Sequence, residues 1–304
     1  MLILPKGLPV KATLQSEGFH IEEEKALAAK NCLRILLLNL MPEKKQTELD
    51  ISRMLAGYEK DVELILMKIS GQQYKTTPQE YMQTFYLDFE QLADGVYDGL
   101  IVTGAPVEQI PFEEVRYWEM LCRIMDWADS HVKSTLYICW GAQAALYHFY
   151  GIQKHPLLHK KFGIFPHAVN VGVDSPFYTL KNNIIGKQYG FFMPVSRHTE
   201  ILAEEILPHS SLHIIAESKE SGVGIVVEDK GHRIYITGHL EYATERLDVE
   251  YHRDLKKGLP IQEPINYYSS GAEDEKRTNI LNTWHSTAET FYHAWLKQIN
   301  LLHA

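Results

Sequence analysis

The sequence predicts an α/β fold, a doubly wound and mostly parallel sheet. Apolar runs of strand length alternate with segments of helical periodicity through the first half of the chain, the pattern of a sheet built by right-handed crossovers. The strand runs are continuous in apolar residues, as in RILLLNL at Arg34 to Leu40, which marks strands buried on both faces. One such run passes directly into a helix at Cys139, the kind of strand end where open α/β sheets place their sites.

Residues 1–33 are punctuated by Pro and Gly and then turn charged and helical over Ile21 to Lys30, which predicts an arm or cap on the main domain. Residues 34–304 form a single α/β domain. Arg34 to Leu40 is its first strand, ended by Pro42. Lys44 to Ala56 has helical periodicity through Leu49, Ile51 and Leu55, with Thr47, Glu48 and Asp50 in polar positions. Val62 to Ile69 reads as a strand and Pro78 to Leu92 as a helix. Asp98 to Thr103 is the third buried strand, running into Gly104-Ala105-Pro106 and the loop Val107-Glu108-Gln109. Glu113 to Ser130 is a helix with Trp118, Leu121, Cys122 and Met125 at core spacing, so Cys122 is a packing residue. Leu136 to Ile138 closes the next strand, and Ala142 to Tyr150, rich in good helix formers, follows it.

From about 154 to 196 the pattern loosens into short strands and turns, an insertion near the active edge. Leu212 to Ser218, Val223 to Glu228 and Arg233 to Thr237 are strands. Asp248 to Lys257 is an amphipathic helix, Ile261 to Asp274 a Pro-, Asn- and Gly-rich loop, and Thr283 to Leu301 a terminal helix.

Composition narrows the function. A chain of 304 residues can bury a substantial core. A net charge of −9 without a basic stripe argues against nucleic acid as a partner, because binding to phosphates relies on clustered Lys and Arg. Cys32, Cys122 and Cys139 are too few and too scattered for a disulfide framework and lack metal-ligand spacing, so no metal is expected and a reducing cytoplasm is. The stretch MLILPKGLPVKATLQSEGF lacks a long apolar core behind a positive flank, and no apolar run nears bilayer length. A soluble, unexported protein without membrane contact is the expectation.

Cys139 is the candidate nucleophile. A cysteine on a sharp strand-to-helix turn has its sulfur pushed out of the sheet edge, while the N–H groups of the following helix lower the thiol pKa and can hold an oxyanion. A lone cysteine is as often a small buried hydrophobe. Downstream, the strand at Arg233 to Thr237 ends in Gly238-His239-Leu240-Glu241. Residues two apart project to the same side of an extended segment, so Glu241 can orient the His239 imidazole that faces the thiol. Cysteine, histidine and carboxylate, each just past a strand, match nucleophile, base and orienter.

These residues resemble the homoserine O-acyltransferases, also called homoserine transsuccinylases, whose fold is similar to the flavodoxin-like class I glutamine amidotransferases. The resemblance covers nearly the whole chain. It is carried by LPKGLP at Leu4 to Pro9, LNLMP at Leu38 to Pro42 with Lys44, Thr47 and Glu48 behind it, and TGAPVE at Thr103 to Glu108. CWGAQAAL at Cys139 to Leu146, TGHLEY at Thr237 to Tyr242 and YHRD at Tyr251 to Asp254 complete it. The family implies that Cys139 takes an acyl group from acyl-CoA as a thioester and passes it to an amino-acid hydroxyl. His239 is then the base and Glu241 fixes its tautomer, with backbone N–H groups at Trp140 and near Ala105 as the oxyanion hole. Lys160, Ser196 and Arg253 match positions expected to contact substrate. Glu250, one helical turn before Arg253, suits the ammonium of an amino acid whose carboxylate Arg253 holds. An acidic residue at Glu108 looks like the family's mark of acetyl-CoA use, glycine there marking succinyl-CoA, since a carboxylate repels the free succinyl carboxylate.

The resemblance therefore implies acetyl transfer to L-homoserine in methionine biosynthesis, with acetyl-CoA as co-substrate, no bound cofactor, and a homodimer. Three departures stand out: Gly186-Lys187-Gln188-Tyr189 and Pro194-Val195-Ser196-Arg197 before and around the site serine, Trp284-His285-Ser286-Thr287 near the C-terminus, and Asp50 where a glutamine is usual. The segment around Ser196 lines the expected acceptor pocket, so L-serine O-acetylation in cysteine biosynthesis is the alternative, the two acceptors differing by one methylene. Succinyl transfer, glutamine amide hydrolysis and a non-catalytic acyl-CoA or amino-acid sensor are more distant readings.

Overall fold

The structure, a computed structural model, describes residues 1–23, 32–269 and 279–302. In chain order the elements are β1 (Leu2–Leu4), α1 (Val10–Ser16), β2 (Ile21–Glu23), β3 (Leu33–Leu38), α2 (Lys44–Leu55), β4 (Val62–Lys68), α3 (Gln79–Phe85), β5 (Leu87–Asp88), α4 (Phe89–Leu92) and β6 (Tyr97–Val102). Then come α5 (Trp118–His131), β7 (Val132–Ile138), α6 (Trp140–Tyr150), β8 (His155–Val169), β9 (Ile184–Ile185), β10 (Gln188–Glu200) and α7 (Ala203–Ile206). β11 (Leu212–Ser218), β12 (Gly222–Glu228), β13 (Arg233–Ile236), α8 (Arg246–Lys256) and α9 (His285–Leu301) end the chain.

The strands make one sheet in the order β2-β1-β4-β3-β6-β7-β13-β12-β11-β8-β10-β9, with β5 beside β4. From β2 to β13 the pairs are parallel, and from β13 to β9 they are antiparallel. Alternate residues of the apolar strands enter opposite cores. Ile35 and Leu37 pack with α2 and α9, whereas Leu36 and Leu38 pack with α5 and α6. Two cores fed by one strand are what a doubly wound sheet requires, and they explain the unbroken RILLLNL run.

Four expectations change. Ile21 to Glu23 is a strand, and with β1 it extends the parallel sheet beyond β4, so residues 1–23 continue the sheet where an arm or cap was expected. Residues 24–30 of the expected helix, and residues 270–274 of the expected loop, lie outside the described residues. The helix expected from Pro78 to Leu92 is broken by β5, because Asp88 and Gln91 form a reciprocal capping box that starts α4 afresh. The helix expected from Glu113 starts at Trp118. Phe112 before it is pinned in a tight turn by stacking on Tyr147 and Trp118, with ring centroids 4.8 and 5.4 Å away.

The region from 154 to 196 departs most. It is a long antiparallel pair, β8 with β10, in place of short strands. Pro166 and Pro194 argue against strands in a sequence. Here they are tolerated because β11 meets β8 only at Ala168 and Val169, and β9 meets β10 only at Gln188 and Tyr189. The free edge of β10 then serves another partner, His239, whose N–H donates to Pro194 O at 2.8 Å.

The polar side of α2 is also not solvated: Thr47, Glu48 and Asp50 are all buried. Glu48 accepts hydrogen bonds from Tyr81 and Tyr86, each at 2.5 Å. Asp50 accepts from Gln46 Nε2 at 2.9 Å, and burial pushes its carboxyl up to about 7. The folded protein therefore keeps a proton on Asp50 that the unfolded chain releases near pH 4, so this group erodes stability as pH rises from about 4 to about 7. Asp50→Asn is expected to raise stability at pH 8 by up to about 4 kcal/mol and to leave it nearly unchanged below pH ~4. Urea unfolding of both proteins at the two pH values measures the difference.

Candidate active site

The end of β7 and the start of α6 set the site. Cys139 sits between them with φ 52° and ψ −117°, a strained conformation for a residue with a side chain. Its N–H donates to Ile236 O at 2.7 Å, so the β13 end is locked beside it. Two glycines permit the turn. A Cβ on Gly141 would lie 2.7 Å from Thr103 O, and one on Gly104 would lie 3.2 Å from Cys139 Cβ. The ends of β6 and β7 thus approach closely enough to bring the 104–108 loop over the sulfur. The N–H groups of Trp140 and Gly141 belong to the first turn of α6, which has no intrahelical acceptors for them. The Trp140 side chain is buried against Phe112 and Tyr117, and Ala105 lines the cleft.

His239 lies just past β13, nearly fully buried, and lines the same cleft as Cys139. Its Nδ1 is 2.7 Å from Glu241 Oε1, and its ring stacks on Tyr242 with centroids 4.0 Å apart and planes 16° apart. Burial alone would pull the imidazole down. The charges of Cys139 and Glu241 and the bonds to them more than offset it and hold His239 well above its usual value. The three sequence-derived residues therefore meet, Cys139 and His239 on the wall of one cleft and Glu241 against the His239 ring.

Cys139 and His239 open into a cleft of about 650 Å³ that also takes in Glu108, Lys160, Ser196, Glu250 and Arg253. Glu250 is the hub of the far wall. Ser196 Oγ donates to its Oε2 at 2.6 Å and Tyr242 OH to its Oε1 at 2.9 Å, while Lys160 Nζ lies 3.6 Å away and Arg246 Nε 3.8 Å. Burial pushes Glu250 up, but Lys160 and the Ser196 hydroxyl reverse this and keep it below its usual value. Glu250 is thus engaged on both oxygens. Asp254 takes Lys160 Nζ at 3.4 Å and Arg253 Nε at 2.8 Å.

Glu108 is anchored across the cleft: its Oε2 accepts the His198 N–H of β10 at 2.5 Å. Burial raises its carboxyl above the usual range despite that bond. Sequence reasoning missed Tyr242, Arg246, Asp254 and His198. Tyr242, Asp254 and His198 stand within or beside motifs already noted, so each was adjacent to a signal. Arg246, which pairs with Glu43 at 2.7 Å, had none.

A cysteine at a strand-to-helix turn, with a histidine and a glutamate just past the end of the neighbouring parallel strand, sits here on a glutamine amidotransferase-like sheet. Solved glutamine amidotransferases share the fold: one from Methylobacillus flagellatus (TM-score 0.52, 14% identity, 88% of this chain and 94% of that one) and one from Thermotoga maritima (TM-score 0.51, 12% identity, 88% and 96%). The family model for homoserine O-succinyltransferase matches residues 1–301, and the chain belongs to that family of O-acyltransferases. It is 45% identical over 297 residues to the homoserine O-acetyltransferase of Phocaeicola vulgatus, and 46% identical over 297 residues to that of Bacteroides thetaiotaomicron. In both cases 97% of this chain and 94% of the relative are covered. Among the described residues no helix is long and apolar enough to cross a membrane.

Proposed function

We propose that the protein transfers acetyl from acetyl-CoA to the hydroxyl of L-homoserine through a thioester on Cys139. In the first half, Cys139 Sγ attacks the acetyl carbonyl, a new C–S bond forms, and the CoA thiolate leaves with the proton of His239. In the second, His239 takes the proton of the homoserine hydroxyl, whose oxygen attacks the thioester. The C–S bond breaks and the thiolate returns beside the protonated imidazole. The Trp140 N–H and the backbone near Ala105 face the developing oxyanion. Arg253 and Lys160 receive the amino-acid carboxylate. Glu250 holds Ser196 and Lys160 in place and contributes negative charge for the ammonium.

The observation that carries this reading is the placement of Glu108. It sits in the same cleft as Cys139 and His239, fixed by a backbone N–H, where an acyl group with its own carboxylate would meet it. The names of the relatives support homoserine and acetyl as the pair. A cytoplasmic homodimer feeding methionine synthesis completes the proposal and rests on family likeness alone.

Steady-state acetyl transfer by the purified protein tests it, with homoserine and serine at matched concentrations and succinyl-CoA as control donor. kcat/KM is expected to favour homoserine over serine by about 10-fold or more, as one methylene allows, and acetyl-CoA over succinyl-CoA. Equal or better turnover of serine overturns the acceptor.

A further inference from the structure

Arg197 is a fully buried guanidinium that this chemistry leaves without a task. It lies on β10 between Ser196, which faces the cleft, and His198, which holds Glu108. Its Nη1 donates to Thr237 O at 3.0 Å and to Thr237 Oγ1 at 2.9 Å, and its Nη2 donates to Ser221 O. Its Nε–H meets no acceptor among the described residues. All these partners are neutral. Glu200, the nearest acidic residue on the same strand, is instead paired with Lys161 at 2.7 Å.

The sheet register places this charge. β13 and β7 pair with Ile236 opposite Ile138, which sets Thr237 beside Cys139 and two residues before His239. An isolated buried cation is costly unless something repays it. Resting on the reading that Cys139 is the nucleophile, we propose that Arg197 is a positioning residue: its fork fixes the Thr237 to His239 segment, and its charge, hydrogen-bonded only to neutral groups, favours the anionic sulfur of Cys139. The charge favours equally the oxyanion of each transfer step. It is close by, since Arg197 Nη1 bonds to Thr237, and the register sets Thr237 beside Cys139 on the neighbouring parallel strand. The other groups that face this pair are His239 and Glu241 from the segment after β13, Glu108 from the loop after β6, Glu200 on β10 and His167 on β8. Burial pulls His167 down to about 3, so it is neutral and adds no second positive charge.

The test is the rate of Cys139 alkylation by iodoacetamide as a function of pH, with Cys139→Ser as the blank for the other two cysteines. In Arg197→Met the midpoint of the profile is expected to rise by about one pH unit or more. Arg197→Lys keeps the cation and is expected to keep the wild-type midpoint while losing kcat, because a lysine cannot supply the fork. Thr237→Val keeps the cation and loses one contact, so it too is expected to lower kcat at an unchanged midpoint. A folded Arg197→Met with the wild-type midpoint overturns the assignment, as does an upward move in Arg197→Lys. If Arg197→Met does not fold, Arg197→Gln gives the same readout. A wild-type midpoint no lower than that of a free thiol counts against Cys139 as nucleophile and takes this inference with it; a low wild-type midpoint that ignores Arg197 removes the inference alone.

Discussion

Cys139→Ala is expected to lower acetyl transfer by at least about 10⁴-fold, because the alanine protein can form no thioester and the oxyanion site alone supplies little. KM for homoserine should change little, since Lys160, Ser196 and Arg253 are untouched. Intact mass after mixing with acetyl-CoA separates the steps. The unsubstituted protein should gain an acetyl group that homoserine removes, and Cys139→Ala should gain none. Glu241→Gln is expected to fall between the two, slower by about 10² to 10⁴-fold, because the amide leaves the His239 ring without the carboxylate that orients it and stabilises its charge. Full transfer by Cys139→Ala would remove the covalent route.

The second large effect concerns the donor. Glu108→Gly is expected to shift the ratio of kcat/KM for succinyl-CoA against acetyl-CoA by about 10² to 10³-fold toward succinyl, since two carboxylates facing each other across a narrow cleft repel. Glu108→Gln refines the point. It keeps the bulk and can still accept the His198 N–H, but it removes the charge. If repulsion sets selectivity, the glutamine variant recovers most of the shift; if volume does, it recovers little. An unchanged ratio in the glycine variant would strip Glu108 of its role.

The sheet and the meeting of Cys139, His239 and Glu241 were legible because their signals are local. A continuous apolar run, a Cys at a strand-to-helix joint and a His-x-Glu after a strand each declare themselves within a few residues. Signals that depend on tertiary partners were not. The long β8 and β10 pair was hidden by Pro166 and Pro194, whose acceptability depends on which edges other strands leave free. Thr47, Glu48 and Asp50 read as a solvated face because nothing in α2 itself shows that Tyr81 and Tyr86 bond to Glu48. The role of Glu250 as a scaffold for the wall was hidden too, because its four neighbours come from separate segments.

The Glu108 to His198 hydrogen bond has a wider consequence. Glu108 follows the parallel half of the sheet and is proposed to set the donor, while β10 belongs to the antiparallel half and carries Ser196, proposed for the acceptor, two positions from His198. A backbone change in β10 made in adapting to a new amino acid would therefore also disturb the choice of acyl group. The two preferences are epistatic: descendants of this enzyme that change one are expected to need compensating substitutions for the other, and grafting either loop alone into a relative should transfer neither specificity intact.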